Sequence, residues 1–261
     1  MIDYGFSLYD LEYFLLILVR VTCFVFVAPF FSLGGAPRQV RIGLSVFTAL
    51  LLYQTVTPSE LPITYNTVTG YAVIVMKEAV TGILIGLGAS MCSAIVNFAG
   101  SVADMETGLS MATLMDPTTK QATSISGVFY QYVVMMMLIA SGMYRYLLGA
   151  LADTFVLIPV NGAVFHTEKL IQSIVDFMTQ YIVIGFRIVL PVFCVMLILN
   201  AVLGVLAKVS PQMNMFAVGI QLKIWIGLAV LFFTARMLPA ASNFIFEQMK
   251  KMTVSFVEGM M

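Results

Sequence analysis

Five charged residues lie inside segments that are otherwise apolar, and they are the first candidates for chemistry in this sequence. They are Arg20, Lys77, Glu78, Arg187 and Lys223. A charge is costly in lipid, so such residues usually face protein, water or a partner. Lys77 and Glu78 are adjacent and point about 100° apart on a helix, so they face different neighbours rather than neutralising each other.

Two interpretations of these charges remain open. The first is a set of buried ion pairs, such as Arg20 with Glu78, that hold the helices and the assembly together. The second is the solute or proton pathway of an ion-coupled secondary transporter. Such transporters typically carry repeated, broken half-helices, and the sequence has no convincing repeat of that kind. We therefore favour structural and intersubunit pairing.

A second candidate region is the polar segment "DMETGLSMATLMDPTTKQAT", residues 104–123, which lies between two apolar segments. It contains Asp104, Glu106 and Asp116, and Lys120 is its one base. We expect these acids to lie in a loop. Glycine and proline favour turns, and methionine gives soft, adaptable contacts. The composition therefore predicts a displaceable segment.

The sequence contains no recognisable catalytic motif. The one histidine, His166, lies in the polar stretch "NGAVFHTEK", and no HExxH, GxSxG or Walker-type loop occurs. The three cysteines lie far apart, without disulfide or metal spacing. Thirteen acids balance thirteen Lys and Arg residues, which leaves no basic footprint for nucleic acid. We expect no enzyme, no metal or other cofactor and no nucleic-acid partner.

The elements that position these residues are membrane helices. The chain is 61% hydrophobic and 10% charged, whereas soluble domains carry about 25% charged residues. A bilayer core needs about 20 mostly apolar residues in a helix. By that length, spans are predicted at 11–33, 40–57, 70–98, 126–150, 171–206 and 213–240. Pro191 predicts a kink in the fifth. The fold class is an all-α integral membrane protein of about six long, partly kinked hydrophobic helices in hairpins.

Two further patterns concern orientation and packing. Arg38 and Arg41 predict that the first connection is cytoplasmic, and alternation then brings Lys208 to the same side. The C-terminal tail falls outside despite its two lysines, which indicates that some helices do not cross fully. Gly82, Gly86 and Gly88 are spaced for close helix approach, either within the chain or at an assembly interface.

Several stretches, taken in order, resemble the FliR family of flagellar export-gate proteins, which includes injectisome counterparts of type III secretion. They are "LVRVTCFVFVAPFFSLGGAPRQVRIGLS", "MKEAVTGILIGL", "ETGLSMATLMDP", "LADTF" and "LPVFCVMLILNAVLGVLAKVSPQMNMFAVG". The resemblance covers nearly the whole chain, and the SPQMN stretch is its most specific part.

The resemblance implies a subunit of a helical export-gate assembly. The expected partners are FliP-like and FliQ-like subunits, an FlhB-like switch protein and the basal-body ring, and the substrates are unfolded exported proteins. The expected place is the bacterial inner membrane at the flagellar basal body. Residues 1–165 would form a FliP-like part that contains the plug loop 104–123, and residues 166–261 a FliQ-like hairpin and tail.

The resemblance also assigns two sites. A cytoplasmic hairpin tip would contain Lys208, Ser210, Pro211, Gln212, Met213 and Asn214. A pore plug would contain Met105, Glu106, Thr107, Gly108, Leu109, Ser110, Met111, Ala112, Thr113, Leu114, Met115, Asp116 and Pro117. The function that follows is a channel subunit that forms and plugs the path for exported flagellar proteins. The alternatives are the ion-coupled transporter and a membrane scaffold without a pore.

Overall fold

The computed structural model describes residues 8–29, 31, 37–55, 65, 67–112, 114–115, 122–210 and 215–261. These residues form eight α-helices joined by short connections. The helices are α1 (Leu8–Val27), α2 (Arg38–Thr55), α3 (Val68–Thr107), α4 (Ile125–Ala140), α5 (Met143–Leu157), α6 (Thr167–Val209), α7 (Met215–Thr234) and α8 (Leu238–Glu258). The remaining elements are 3-10 turns at Leu109–Ala112 and Ala235–Met237, and the strands β1 (Leu114–Met115) and β2 (Ala122–Thr123).

The length and composition of the helices confirm an all-α membrane protein. Within the described residues, three helical stretches are long and apolar enough to cross a membrane: Val68–Thr107, Thr167–Val209 and Val218–Glu258. The number rises to four if α4 and α5 form one broken span. Six spans were predicted. Helix α1 is not among the candidate spans, because three charged residues, Asp10, Glu12 and Arg20, lie within its 20 residues.

Three element boundaries differ from the predicted ones. The predicted span 126–150 is broken at Gly142, whose φ of 71° is left-handed, and α4 and α5 are bent by 70°. Helix α3 continues past 98 to Thr107. The C-terminal tail is helical to Glu258 instead of trailing from the sixth span. Helix α6 remains one element through Pro191.

The chain divides into two compact units. Unit 1 contains Met1–Met91, Gly142–Phe177 and Gln248–Met261, and unit 2 contains Cys92–Ser141 and Met178–Glu247. Each unit draws on both sides of the predicted boundary at 165/166. The predicted boundary at 165/166 divides the chain by sequence order rather than by compactness, and it remains a prediction.

Unit 1 is built around α1, where Leu16, Ile17, Val21 and Phe24 are fully buried. A Cβ at Gly82 of α3 would collide with the Arg20 carbonyl oxygen of α1, so the two backbones touch there. Gly86 likewise faces Phe24 and Val27 of α1, and Gly88 faces Phe256 and Met252 of α8. The glycine pattern therefore serves packing within the chain.

The tail is fixed to unit 1 by backbone pairing as well as by packing. Val164 N donates to Met260 O, and His166 N donates to Gly259 O, both at 2.9 Å. The side chains of Phe256 and Met260 are fully buried. The two tail lysines, Lys250 and Lys251, are exposed. The tail is thus an integral part of unit 1.

Unit 2 has a core in which α3 packs against α6. Ala99 and Ala103 of α3 are buried with Val189, Val192, Met196 and Leu199 of α6. Phe98 adds ring contacts to Tyr181 and Phe186, at centroid distances of 5.1 and 5.6 Å. Small residues on α3 let α6 approach closely, since a large side chain there would overfill a packed interior. This core positions the end of α3 beside the start of α4.

Candidate functional site

Two charged residues of unit 1, Arg20 and Glu78, form a buried network with nearby backbone groups. Arg20 of α1 and Glu78 of α3 are both fully buried, and Arg20 Nε lies 2.6 Å from Glu78 Oε2. Arg20 Nη1 donates to the carbonyl oxygens of Thr154 and Ile158, at 3.3 and 2.9 Å. The guanidinium also lies over the Phe155 ring, 4.3 Å from its centroid. The structure therefore contains the pair that the sequence suggested.

The second oxygen of Glu78 holds the corner that follows α5. Glu78 Oε1 accepts the backbone N–H of Asn161 at 2.9 Å, and Asn161 has a left-handed φ of 68°. Asparagine tolerates this conformation better than most residues. One group of the network is unsatisfied, since Arg20 Nη2 is buried without a hydrogen-bond partner. The role of Asn161 was not predicted from the sequence, because it donates through its backbone N–H, which does not depend on the residue type.

The other three cations of the predicted spans have no ion-pair partner among the described residues. Lys77 is half-buried on α3 in unit 1, Arg187 is exposed on α6 and Lys223 is half-buried on α7 in unit 2. Among the described residues, no carboxylate forms an ion pair with any of the three. Glu78 is committed to Arg20 and Asn161. The assignment of the three cations to ion pairs or to an assembly interface therefore remains a prediction.

Unit 2 contains a neck formed where α3 ends and α4 begins. Asp104 is 2% exposed, and its two oxygens accept Ser126 N–H at 3.2 and 3.3 Å. This N–H lies in the first turn of α4, where backbone donors are unpaired and the helix dipole favours a negative charge. Ser124 caps α4 by accepting Gly127 N–H at 3.0 Å. The carboxylate thus ties the two helix ends together.

Two glycines set the width of the neck. A Cβ added to Gly100 of α3 would collide with Cα and N of Gly127 on α4. The two backbones touch with no side chain between them, one helical turn before Asp104. Helix α3 precedes the segment 108–123 in the chain, and α4 follows it. The sequence signal was present in the two glycines, but only their contact reveals the neck.

The segment predicted to form a plug is helical at its start. Met105, Glu106 and Thr107 belong to the last turn of α3, so the expectation that Asp104 and Glu106 lie in a loop is wrong. The reason is that Asp104 and Thr107 are buried within unit 2, which outweighs the polar composition of the segment. Helix α3 ends at Gly108, whose φ of 80° is left-handed. The 3-10 turn Leu109–Ala112 follows.

Beyond the turn, the segment forms a small hairpin. Leu114 pairs with Thr123 and Met115 with Ala122 in an antiparallel register. Thr113, Asp116 and Pro117 lie outside the described residues, as does Lys120. Of the predicted hairpin tip, Lys208 is exposed at the end of α6, and Ser210 N donates to Leu206 O at 2.9 Å. Pro211, Gln212, Met213 and Asn214 also lie outside the described residues.

These features define a class of protein. It is an all-α membrane protein in which a buried ion pair connects helices. A buried carboxylate connects the end of α3 with the start of α4, on either side of the polar central segment. A sequence profile narrows the class. The profile of the bacterial export proteins, family 1, matches residues 11–249. The chain belongs to this family.

The chain is similar to several curated relatives. It is 30% identical over 221 residues to the flagellar biosynthetic protein FliR of Bacillus subtilis, with 84% of each chain covered. It is 28% identical over 243 residues to FliR of Aquifex aeolicus, with 92% of each chain covered. The FliR of Escherichia coli is 23% identical over 227 residues, which cover 87% of this chain and 84% of the relative. The chain is therefore a membrane component of the flagellar export apparatus.

Proposed function

We propose that this chain is a gate subunit of the flagellar type III export apparatus, which forms part of the wall of a protein-conducting channel and closes it. The segment 108–123 is the closing element, and unfolded flagellar proteins are the substrates. The partners are FliP-like and FliQ-like subunits, an FlhB-like switch protein and the basal-body ring. The site of action is the bacterial inner membrane at the basal body.

The observation that carries this proposal is the neck at Asp104, Gly100, Ser126 and Gly127. A segment that must yield to a passing chain and then return needs fixed ends and a weakly held middle. The neck supplies the fixed ends. The middle is held by a two-residue strand pair, which is too short to be stable by itself. Its sequence contains methionines and leucines, and methionine adapts readily to a changing surface.

Exposed surface supports a role in an assembly. Phe47, Leu50 and Leu51 of α2 are exposed large hydrophobic residues, and so are Trp225 and Phe232 of α7. Lipid can cover such residues, but it does not neutralise the ammonium groups of Lys77 and Lys223, which lie within apolar helices. We propose that these two lysines pair with carboxylates of neighbouring subunits.

The test is removal of the 3-10 turn while the neck stays intact. Deletion of Gly108–Ala112 should leave the complex with its FliP-like and FliQ-like partners assembled, and the reconstituted complex should conduct small ions. The matched control replaces the same five residues with a Gly-Ser sequence of equal length, which separates loss of contacts from loss of length. Conductance that stays at background in both variants would show that this segment does not close a channel.

A further inference from the structure

Unit 2 contains a cavity with a cation at its edge. The cavity has a volume of about 120 Å³ and lies among α4, α6, the 3-10 turn Ala235–Met237 and the start of α8. Ile184, Ile188, Met237 and Leu238 line it with apolar side chains, and Arg187 also lines it. Its volume is that of about four water molecules. Since most of its wall is apolar, a hydrocarbon segment suits it better than water does.

Arg187 is arranged to bind an anion. Its guanidinium lies over the Phe244 ring, 4.6 Å from the centroid, so one face is covered while the in-plane N–H groups remain available. The side chain is exposed, and within the described residues no carboxylate pairs with it. The described residues that line the cavity include no acid. A planar guanidinium with free N–H groups binds phosphate through two parallel hydrogen bonds.

A charge-free stretch of α6 separates Arg187 from the next cation along the helix. Residues 188–207 carry no charge, and Lys208 is the next charged residue. At about 1.5 Å per residue, Arg187 and Lys208 lie about 30 Å apart along the helix, which is the thickness of the hydrocarbon core. Next to the cavity, Arg236 precedes the lining residue Met237 and is also exposed. A bilayer whose hydrocarbon core covered residues 188–207 would therefore place phosphates beside Arg187.

From this geometry we propose that unit 2 binds one anionic phospholipid. Its phosphate is held by Arg187, with Arg236 adding positive charge nearby, and the start of an acyl chain fills the cavity. A lipid suits the site better than a partner's carboxylate because the site has two parts, a cation at headgroup level and an apolar space beside it. Exposed Val183, Phe186 and Leu190 continue the apolar surface along α6. The proposal does not depend on the export role.

The experiment measures lipid retained by the full-length protein in its complex. Delipidated complex is exposed to nanodisc lipids, phosphatidylglycerol or phosphatidylcholine, and bound lipid is counted by native mass spectrometry. Wild type should retain one phosphatidylglycerol per chain in preference to phosphatidylcholine. Arg187→Gln should bind it at least about tenfold more weakly, since a charge-assisted hydrogen bond is lost. Ala241→Leu fills the cavity, keeps Arg187 and should also lose the lipid.

Arg145→Gln is the matched control, because Arg145 lies over the Tyr144 ring, 5.6 Å from its centroid, and does not line this cavity. This variant should retain lipid as wild type does. Equal retention of both lipids by wild type would overturn the proposal, as would unchanged retention by Arg187→Gln. Loss of a partner subunit from Arg187→Gln with lipid unchanged would assign Arg187 to a partner's carboxylate. If Arg187→Gln fails to assemble, Ala241→Leu still decides whether the cavity holds lipid.

Discussion

The two units bury charge in different ways. In unit 1, Arg20 and Glu78 form an ion pair. Together they also hydrogen-bond to three backbone groups in the last turn of α5 and in the connection that follows it. In unit 2, Asp104 has a single backbone N–H as its partner among the described residues. A broken buried ion pair leaves an uncompensated charge, which is costly. A carboxylate at a helix N-terminus contributes less. We infer that breaking the network of unit 1 costs more stability than removing the carboxylate contact at the neck of unit 2.

The largest effect should come from Glu78→Ala. This change leaves Arg20 buried without its counter-ion and leaves Asn161 N–H unpaired, so the loss of stability should be about 3–5 kcal/mol. Thermal unfolding and the yield of the complex with its partners measure it. Glu168→Ala, at an exposed position in the first turn of α6, should change neither. Normal yield and stability in Glu78→Ala would contradict the difference between the units.

A smaller effect is expected from Gly100→Ala at the neck. The added methyl group has no space beside Gly127, and overpacking of this kind costs about 1–3 kcal/mol. The ends of α3 and α4 should separate, and the reconstituted complex should conduct ions. Gly149→Ala provides the control, because nothing lies within 4 Å of a Cβ at that position. A closed, stable complex with Gly100→Ala would mean that the backbone contact does not set the neck.

Asp104→Ala should have the smallest effect. Loss of one acceptor at the start of α4 costs about 1 kcal/mol, so the complex should assemble normally and leak slightly. Asp104→Asn retains an acceptor oxygen and should fall between wild type and alanine. Met105→Ala is the neighbouring control, since Met105 is 72% exposed. If Asp104→Ala reduced assembly as much as Glu78→Ala, the two units would not differ as we infer.

The sequence predicted the helical membrane fold because long apolar segments have few other solutions in lipid. It also predicted the contact between Arg20 and Glu78, because a buried arginine needs an acid and Glu78 lies in a neighbouring helix. The break at Gly142 was missed, although a glycine flanked by serine was present as a signal. Hydropathy alone does not distinguish one straight helix from two bent ones.

The candidate site was harder to predict. The acids of the segment 104–123 suggested a loop, but burial of Asp104 extends α3 by more than one turn beyond the predicted end at 98. Whether a carboxylate is solvated or caps a helix depends on which element lies opposite, and the start of α4 is twenty residues away in sequence. The role of Asn161 depends on its φ and its N–H, which every residue except proline possesses.

The contact between Gly100 and Gly127 has a consequence for evolution and for engineering. A Cβ at Gly100 has no space beside the Gly127 backbone, and a Cβ at Gly127 would collide with the capping hydroxyl of Ser124, so both positions favour glycine. At Gly108, space is open around a Cβ position, but the left-handed φ of 80° still favours glycine. A reporter residue or a short epitope inserted within 109–112 should be accepted where one at the neck is not.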